Sequence, residues 1–192
     1  MATRTTLLLL DVQNGIVDQL QLPESFFQGM TTALTAARNH GLNIVHIVTA
    51  FRDGYPESRP TNSFIPSVAA RGLFKEGDPS VKVHASVTPI SKEPVITKRR
   101  VSAFCGTELD MILRCANTNH IVIAGLISSG AVLSTVQQAA DLDYGVTILR
   151  DLCMDRDEEV HRVLMDKVFF RKHSVVNAEL WVRQLEIKAS ND

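Results

Sequence analysis

The chain has few cysteines, and they form no pattern that suggests a disulfide framework or a metal site. Cys105, Cys115 and Cys153 are the three cysteines among 192 residues, with no Cys-x-x-Cys pair and no histidine at ligand spacing. Small secreted domains and structural zinc proteins have much denser cysteine patterns. We therefore expect reduced thiols and a cytoplasmic location.

The chain also lacks a strong charge of either sign and a long apolar run. Its formal net charge is −1 and its basic cluster, Lys98-Arg99-Arg100, is short, so neither nucleic acid nor an anionic membrane is an expected partner. The apolar run Leu7–Leu10 is too short for a signal peptide or a membrane span. No Gly-x-Gly-x-x-Gly fingerprint follows it, which argues against dinucleotide binding. The expected partner is a small-molecule substrate.

The sequence does contain a regular alternation of strand and helix patterns. Short apolar segments predict strands at Thr5–Leu10, Leu42–Val48, Val95–Thr97, Ile121–Ala124, Val146–Leu149 and Ser174–Val176. Apolar residues at helical spacing predict helices at Ser25–Asn39, from Thr107 to about Ala116, at Ser129–Leu142, at Glu158–Phe169 and after Asn177. This pattern predicts an α/β fold, in which residues 1–192 form one Rossmann-like domain. We expect a three-layer α/β/α sandwich around a mostly parallel six-stranded sheet.

The segment Thr49–Pro94 interrupts this alternation. It holds most of the prolines and a single short predicted helix near Pro66–Leu73. A connection of this length inside a compact domain is usually functional or mobile. Phe51 and Arg52 begin it directly after the second strand, and we expect them to line a pocket for a small anionic or planar ligand. An ordinary surface loop is the alternative.

Three segments place candidate chemical groups at predicted strand ends. Asp11 follows the first strand in Leu-Asp-Val-Gln-Asn, and Lys98 follows the third in Thr-Lys-Arg-Arg-Val-Ser-Ala-Phe. Gly125 begins the turn Gly-Leu-Ile-Ser-Ser-Gly after the fourth. Ligands of open parallel sheets bind at such carboxyl ends, where a carboxylate, an ammonium group and turn amides suit acid–base chemistry and anion stabilisation. The structural alternatives are a helix cap, a solvated lysine and a plain strand-to-helix turn.

Together these segments resemble the isochorismatase-like hydrolase superfamily, also called the cysteine hydrolases, over nearly the whole chain. The resemblance implies that Asp11 and Lys98 are catalytic and that a cis peptide bond joins Leu126 to Ile127. It also implies a homodimer or a homotetramer. The residues that it implies at the substrate are Gln13, Asn14, Phe51, Arg52, Phe104, Leu126, Ile127, Ser128, Ser129 and Gly130.

Two departures from the family pattern shape the expected chemistry. Counted from Gly125, the position of the family's nucleophilic cysteine is Ala131, whose methyl group cannot attack a carbonyl carbon. The nicotinamidase branch of the superfamily carries a metal-binding Asp-x-His pair after the second strand, where this chain has Arg52-Asp53-Gly54-Tyr55. We therefore expect no zinc, and no sequence feature calls for another cofactor.

Three functions remain open on the sequence. The first is vinyl-ether hydrolysis without a covalent intermediate, as in the isochorismatases proper, which release pyruvate from isochorismate. Asp11 would protonate the methylene carbon, and water would add to the resulting oxocarbenium ion. The second is a cysteine-type amidohydrolase in which Ala131 replaces the nucleophile, either naturally or by engineering. The third is a non-catalytic protein that binds a small ligand on the same fold.

Overall fold

Six parallel strands form the centre of the molecule in the computed structural model, which describes residues 4–189. The strands are β1 (Thr5–Leu10), β2 (Asn43–Thr49), β3 (Val95–Lys98), β4 (His120–Leu126), β5 (Gly145–Met154) and β6 (Ser174–Val176). They are hydrogen-bonded in the order β3-β2-β1-β4-β5-β6, and every pairing is parallel. This confirms the predicted α/β fold of one domain. The ends of the predicted domain, residues 1–3 and 190–192, lie outside the described residues.

Helices connect the strands. The α-helices are α1 (Asn14–Val17), α2 (Glu24–Asn39), α3 (Ile65–Ala70), α4 (Leu109–Cys115), α5 (Leu133–Asp141), α6 (Glu158–Val163) and α7 (Ala178–Ala189). Two π-helical turns, Ser128–Val132 and Leu164–Val168, overlap segments that the periodicity predicts as continuous helices. A single wider turn changes the apolar spacing too little for periodicity to reveal it. Within residues 4–189, no helix is both long and apolar enough to cross a membrane.

The sheet is buried on both faces because its central strands are apolar at nearly every position. Leu7–Leu10 of β1 are at most 2% exposed. The even-numbered leucines belong to a core that α4, α5 and the segment after α6 complete, and the odd-numbered leucines belong to a core that α2 and α7 complete. Successive side chains of a strand point to opposite faces, so one run supplies both cores. Trp181 of α7 is buried in the second core.

The long connection between β2 and β3 is folded into an ordered cap. It has a small core of its own, made of Phe51, Tyr55, Ile65, Val68 and Phe74. A bridge between Gln13 and Val83 and a hydrogen bond from the His84 amide to the Val12 carbonyl, 2.9 Å long, attach it to the chain just after β1. The connection therefore lies beside the carboxyl end of the first strand.

The strand order reverses at β1, which lies between β2 and β4. The chain proceeds outward from β1 to β3 on one side and from β4 to β6 on the other. In open parallel sheets, the crevice at such a point, at the carboxyl ends of the strands, is the usual ligand site. Asp11 follows β1 and the 126–131 turn follows β4, so both lie at this crevice.

Candidate active site

Asp11 is the first residue after β1, and its backbone is in the left-handed region with φ of 55°. Aspartate tolerates this conformation better than most residues do. The Asp11 amide donates a hydrogen bond of 2.8 Å to the Ile47 carbonyl of β2, and the residue is only 3% exposed. Its carboxylate is thus held in a buried position at the carboxyl edge of the sheet.

Lys98, the last residue of β3, forms a buried ion pair with Asp11. Lys98 Nζ lies 2.9 Å from Asp11 Oδ2, and each side chain is 4% exposed. Thr49, the last residue of β2, bridges the pair: its hydroxyl donates to Asp11 Oδ1 at 2.9 Å and accepts from Lys98 Nζ at 2.8 Å. A desolvated ion pair depends on such additional hydrogen bonds. No sequence motif marked Thr49, although its place at the end of β2 was an available signal.

Gln13 holds Thr49 in position and does not line the cavity described below. Its Oε1 accepts from the Thr49 amide at 2.6 Å, and its Nε2 donates to the Thr49 carbonyl at 3.0 Å. The same Nε2 donates to the Ser80 carbonyl at 3.3 Å, which ties the connection to the end of β2. In this structure Gln13 thus acts on the position of Thr49, and its expected contact with substrate stays a prediction.

The turn after β4 contains the cis peptide bond between Leu126 and Ile127, which confirms that expectation. Gly125 precedes it with φ of 141°, and a Cβ added there would lie 2.0 Å from the Leu10 carbonyl oxygen. Only glycine fits so close to β1. The chain then enters a π-helical turn that contains the buried Ala131.

Polar groups from the segment after β5 anchor this turn. The Ser129 amide donates to Asp155 Oδ2 at 2.7 Å, and Ser128 Oγ lies 2.8 Å from His161 Nδ1. Burial, together with the positive charge of Arg150, lowers the pKa of His161, so the neutral imidazole is favoured in this contact. The hydroxyl of Ser128 is therefore used in holding the turn, and its expected contact with substrate stays a prediction.

A cavity of about 310 Å³ lies over these groups, which is near the lower end for ligand pockets. Its polar or small wall residues are Asp11, Thr49, Lys98, Ser129, Gly130 and Ala131. Its apolar wall residues are Ile16, Phe64, Phe74, Val101, Leu126 and Ile127. The cavity thus joins the two charged residues and the expected nucleophile position to four of the predicted substrate contacts.

Four other predicted substrate contacts lie outside this wall. Phe51 is buried in the small core of the connection, and Phe104 stacks on Tyr144 in the core that α4 and α5 complete. Arg52 is exposed and ion-paired within the connection, and Asn14 donates to a backbone carbonyl of the connection. Aromatic and polar side chains at a strand end can serve a neighbouring core or loop equally well, and sequence position alone does not distinguish these uses.

Phe64 and Phe74 supply the aromatic part of the wall, and no sequence pattern singled them out. Phe64 is 45% exposed, whereas Phe74 is buried at φ of 56°. Both belong to the long connection, and folding of the connection brings them to the cavity. The length of this segment predicted a functional or mobile connection, without indicating which of its side chains face a ligand.

None of the three cysteines, which all lie in the described part of the chain, lines the cavity. Cys105 and Cys115 are exposed. Cys153 is fully buried in β5, and burial raises the pKa of its thiol to about 12, the opposite of what a nucleophilic thiolate needs. Across residues 4–189, no group of three or more His, Cys, Asp or Glu side chains is arranged to hold a metal ion.

The fold and the groups at its carboxyl edge are typical of α/β enzymes that act on small molecules. The isochorismatase domain family matches residues 5–179, and the chain belongs to this family of hydrolases. The isochorismatase family protein YddQ of Bacillus subtilis is 28% identical over 153 residues, which cover 78% of this chain and 77% of that protein.

Two further comparisons agree with this assignment. The ureidoacrylate amidohydrolase RutB of Cronobacter turicensis is 26% identical over 170 residues, covering 77% of this chain and 73% of that enzyme. The crystal structure of an isochorismatase family protein from Desulfovibrio vulgaris matches with a TM-score of 0.85 at 25% identity. That match covers 96% of this chain and 100% of the other.

Proposed function

We propose that this family member hydrolyses a small vinyl ether, with Asp11 as the proton donor and without a covalent intermediate. The observation that carries the proposal is the buried Asp11–Lys98 pair in the same cavity wall as the methyl group of Ala131. A methyl group cannot serve as a nucleophile. Acid-catalysed addition of water needs only a placed proton donor and space for a water molecule.

The reaction begins with the proton that the Asp11–Lys98 pair holds. Asp11 passes this proton to the terminal carbon of the vinyl ether, and the electrons of the carbon–carbon double bond form the new carbon–hydrogen bond. Positive charge develops on the carbon that carries the ether oxygen, and the restored carboxylate stabilises it. Water adds to that carbon and returns a proton to the pair, and the hemiacetal or hemiketal then breaks into an alcohol and a carbonyl compound.

Each neighbouring group has a separate part in this scheme. Lys98 relays the proton returned by water to Asp11, and Thr49 fixes the orientation of the carboxylate through its 2.9 Å hydrogen bond. The small side chain of Ala131 leaves room for water. The backbone of the turn from Leu126 to Gly130 contacts the substrate. We also propose that the protein works as a homodimer or homotetramer in the cytoplasm.

The test uses two vinyl ethers of different charge with purified protein. Isochorismate would release pyruvate, and ethyl vinyl ether would release acetaldehyde. Asp11→Asn removes the acidic proton with little change in shape, and it should lower turnover about 10²- to 10⁴-fold, the usual contribution of a general acid. Asp53→Asn is the control because the Asp53 side chain is 92% exposed and outside the cavity wall. Near-normal turnover by a folded Asp11→Asn variant would contradict the mechanism.

A cysteine-type amidohydrolase is the second candidate, favoured by the similarity to the ureidoacrylate amidohydrolase. Ala131→Cys would restore a thiol at the start of the helical segment after β4, where N–H groups favour a thiolate. Under this alternative the variant gains rapid alkylation by iodoacetamide and hydrolysis of small amides, and Ala131→Ser gains neither. Under the vinyl-ether proposal no amidase activity appears. If neither reaction is found in any variant, a non-catalytic ligand-binding protein is the remaining function.

A further inference from the structure

We infer that the cavity selects an uncharged substrate with a mostly apolar body, and disfavours carboxylates. The inference rests on the proposed function for its reaction and on the charges of the cavity for its selectivity. Asp11 and Lys98 are the charged side chains among the described residues that line the cavity. At 2.9 Å from one another they cancel, and the wall therefore presents no net positive charge to a substrate carboxylate.

Three arginines near the ends of β2 and β3 do not line the cavity, and each is bound to protein oxygens. Arg52 pairs with Glu57 at 2.7 Å. Arg99 pairs with the same carboxylate at 3.0 Å and also with Glu76. Arg100 donates to the backbone carbonyls of Arg99 and Glu57. These arginines lie outside the cavity wall, so they offer no direct contact to a carboxylate bound in the cavity.

The turn after β4 offers little to an anion either. The Ser129 amide donates to Asp155 at 2.7 Å, and the Gly130 amide donates to the Ile127 carbonyl at 3.1 Å. Asp155 also brings a negative charge to the turn, which repels a second carboxylate. Two of the turn's amides are thus already used within the protein.

The rest of the wall is apolar. Leu126 is fully buried, while Phe64 and Val101 are 45% and 39% exposed and would be covered by a ligand. Placing a carboxylate against such side chains removes its hydration without giving it partners. A hydrocarbon ring or chain gains by the same contact. The cavity volume of about 310 Å³ equals roughly ten water molecules at ~30 Å³ each, so the apolar body is small.

This selectivity distinguishes the chain from its relative. The substrate named for the Cronobacter enzyme, ureidoacrylate, carries a carboxylate. Isochorismate carries carboxylates as well, so we expect it to have a much higher KM than a neutral vinyl ether of similar size. The carbonyl product of the reaction would then be a neutral aldehyde or ketone.

The test compares two ligands that have the same ring and differ in charge. Cyclohexanecarboxamide and cyclohexanecarboxylate are titrated separately into the ¹⁵N-labelled protein at neutral pH, and Kd is taken from the shifts of amide signals. Neither compound is a vinyl ether, so the result does not depend on turnover. We expect the amide to bind at least about tenfold more tightly. Equal affinity, tighter binding of the carboxylate, or no binding of either compound at millimolar concentration would overturn the inference.

Two variants locate the effect in the cavity. Phe64→Ser should weaken binding of the amide, whereas Met111→Ser, on an exposed face of α4, should not. Val101→Arg adds a cation to the wall and should improve binding of the carboxylate at least about tenfold. Val95→Arg is its control, since Val95 is similarly exposed at the opposite end of β3. A carboxylate affinity that rises equally in both arginine variants would contradict the assignment to this cavity.

Discussion

Thr49 is uncharged, and its single hydroxyl forms hydrogen bonds with both members of the buried ion pair. It donates to Asp11 and accepts from Lys98, while Gln13 fixes its backbone on both sides. The orientation of the carboxylate therefore depends on a residue that carries out no proton transfer to substrate. In the proposed reaction, this arrangement makes Thr49 a positioning residue.

Thr49→Val should slow catalysis with little effect on substrate binding. Valine has nearly the same shape and keeps the backbone bonds to Gln13, but it removes hydrogen bonds to two charged groups, each worth about 1.5–3 kcal/mol. We expect kcat to fall about 10- to 100-fold while KM changes by less than about threefold. Steady-state kinetics on the vinyl ether that the protein turns over would measure both constants.

Thr49→Ser and Thr97→Val are the matched variants. Serine keeps the hydroxyl and should restore most of kcat. Thr97 lies next to Lys98 in β3 but outside the cavity wall, so its loss of a hydroxyl should leave kcat unchanged. If Thr49→Val raises KM and leaves kcat unchanged, Thr49 would be assigned to substrate binding instead.

Sequence position predicted some site residues and missed others for identifiable reasons. Asp11 and Lys98 could be found because each lies at the carboxyl end of a strand, where a charged side chain has few structural uses. Phe64 and Phe74 could not, because their place in the cavity depends on how the connection folds over the sheet. Phe51, next to the second strand, was expected at the ligand and lies instead in the small core of the connection.

A buried ion-pair network joins three elements at a distance from the cavity. Glu93, at the end of the connection, accepts two hydrogen bonds of 2.8 Å from Arg38 of α2 and lies 3.1 Å from His46 Nε2 of β2. Burial opposes ionisation of Glu93, but the hydrogen bonds from Arg38, the Ile90 amide and His46 outweigh it and lower its pKa from 4.5 to about 2. Burial also lowers the pKa of His46.

This network should make the protein lose stability on acidification. Both pKa values are lower in the folded chain than in the unfolded chain, so the unfolded chain binds more protons and stability rises with pH. The loss attributable to His46 begins as the pH falls through about 6.5, and the loss attributable to Glu93 follows from about 4.5 down to about 2. Urea unfolding between pH 7.5 and pH 3 would measure the free energy of unfolding.

Glu93→Gln tests whether Glu93 causes the loss of stability at low pH. Removing one partner of a buried charge pair costs about 3–5 kcal/mol at neutral pH, and the variant should then show a shallower loss between pH 4.5 and pH 3. Glu179→Gln is the control, because the pair of Glu179 with Arg183 on α7 is exposed and contributes about 0.5 kcal/mol or less. Parallel pH profiles for wild type and Glu93→Gln would show that Glu93 does not cause the acid loss.

At the scale of the molecule, strand and helix alternation was enough to predict the layers but not the strand order. Parallel strands need helical crossovers, so the alternation already indicates a sheet covered on both faces. Which strands become neighbours depends on tertiary packing, and the approach of β4 to β1 rests on Gly125, where any side chain would meet the Leu10 carbonyl. The crevice of the site exists because the order reverses at that contact.

Exposed apolar side chains on one segment give a reason to test the expected oligomer. Val160, Val163, Val168 and Phe170 are all exposed within one segment, and Phe170 is 69% exposed. Large apolar side chains exposed together commonly mark an interaction surface. We therefore expect light scattering after size-exclusion chromatography to give two or four times the chain mass of 21.2 kDa.

Variants can assign that assembly to the segment. The double variant Val163→Ser and Phe170→Ser removes about 3–5 kcal/mol of apolar burial per subunit if both side chains are covered, which should shift the species toward one chain. Met111→Ser and Ile187→Ser, each 61% exposed on α4 and α7, form the control and should not change the mass. A wild-type mass of one chain at micromolar concentration would contradict the oligomer itself, and an unchanged mass in the double variant would place the interface on another face of the molecule.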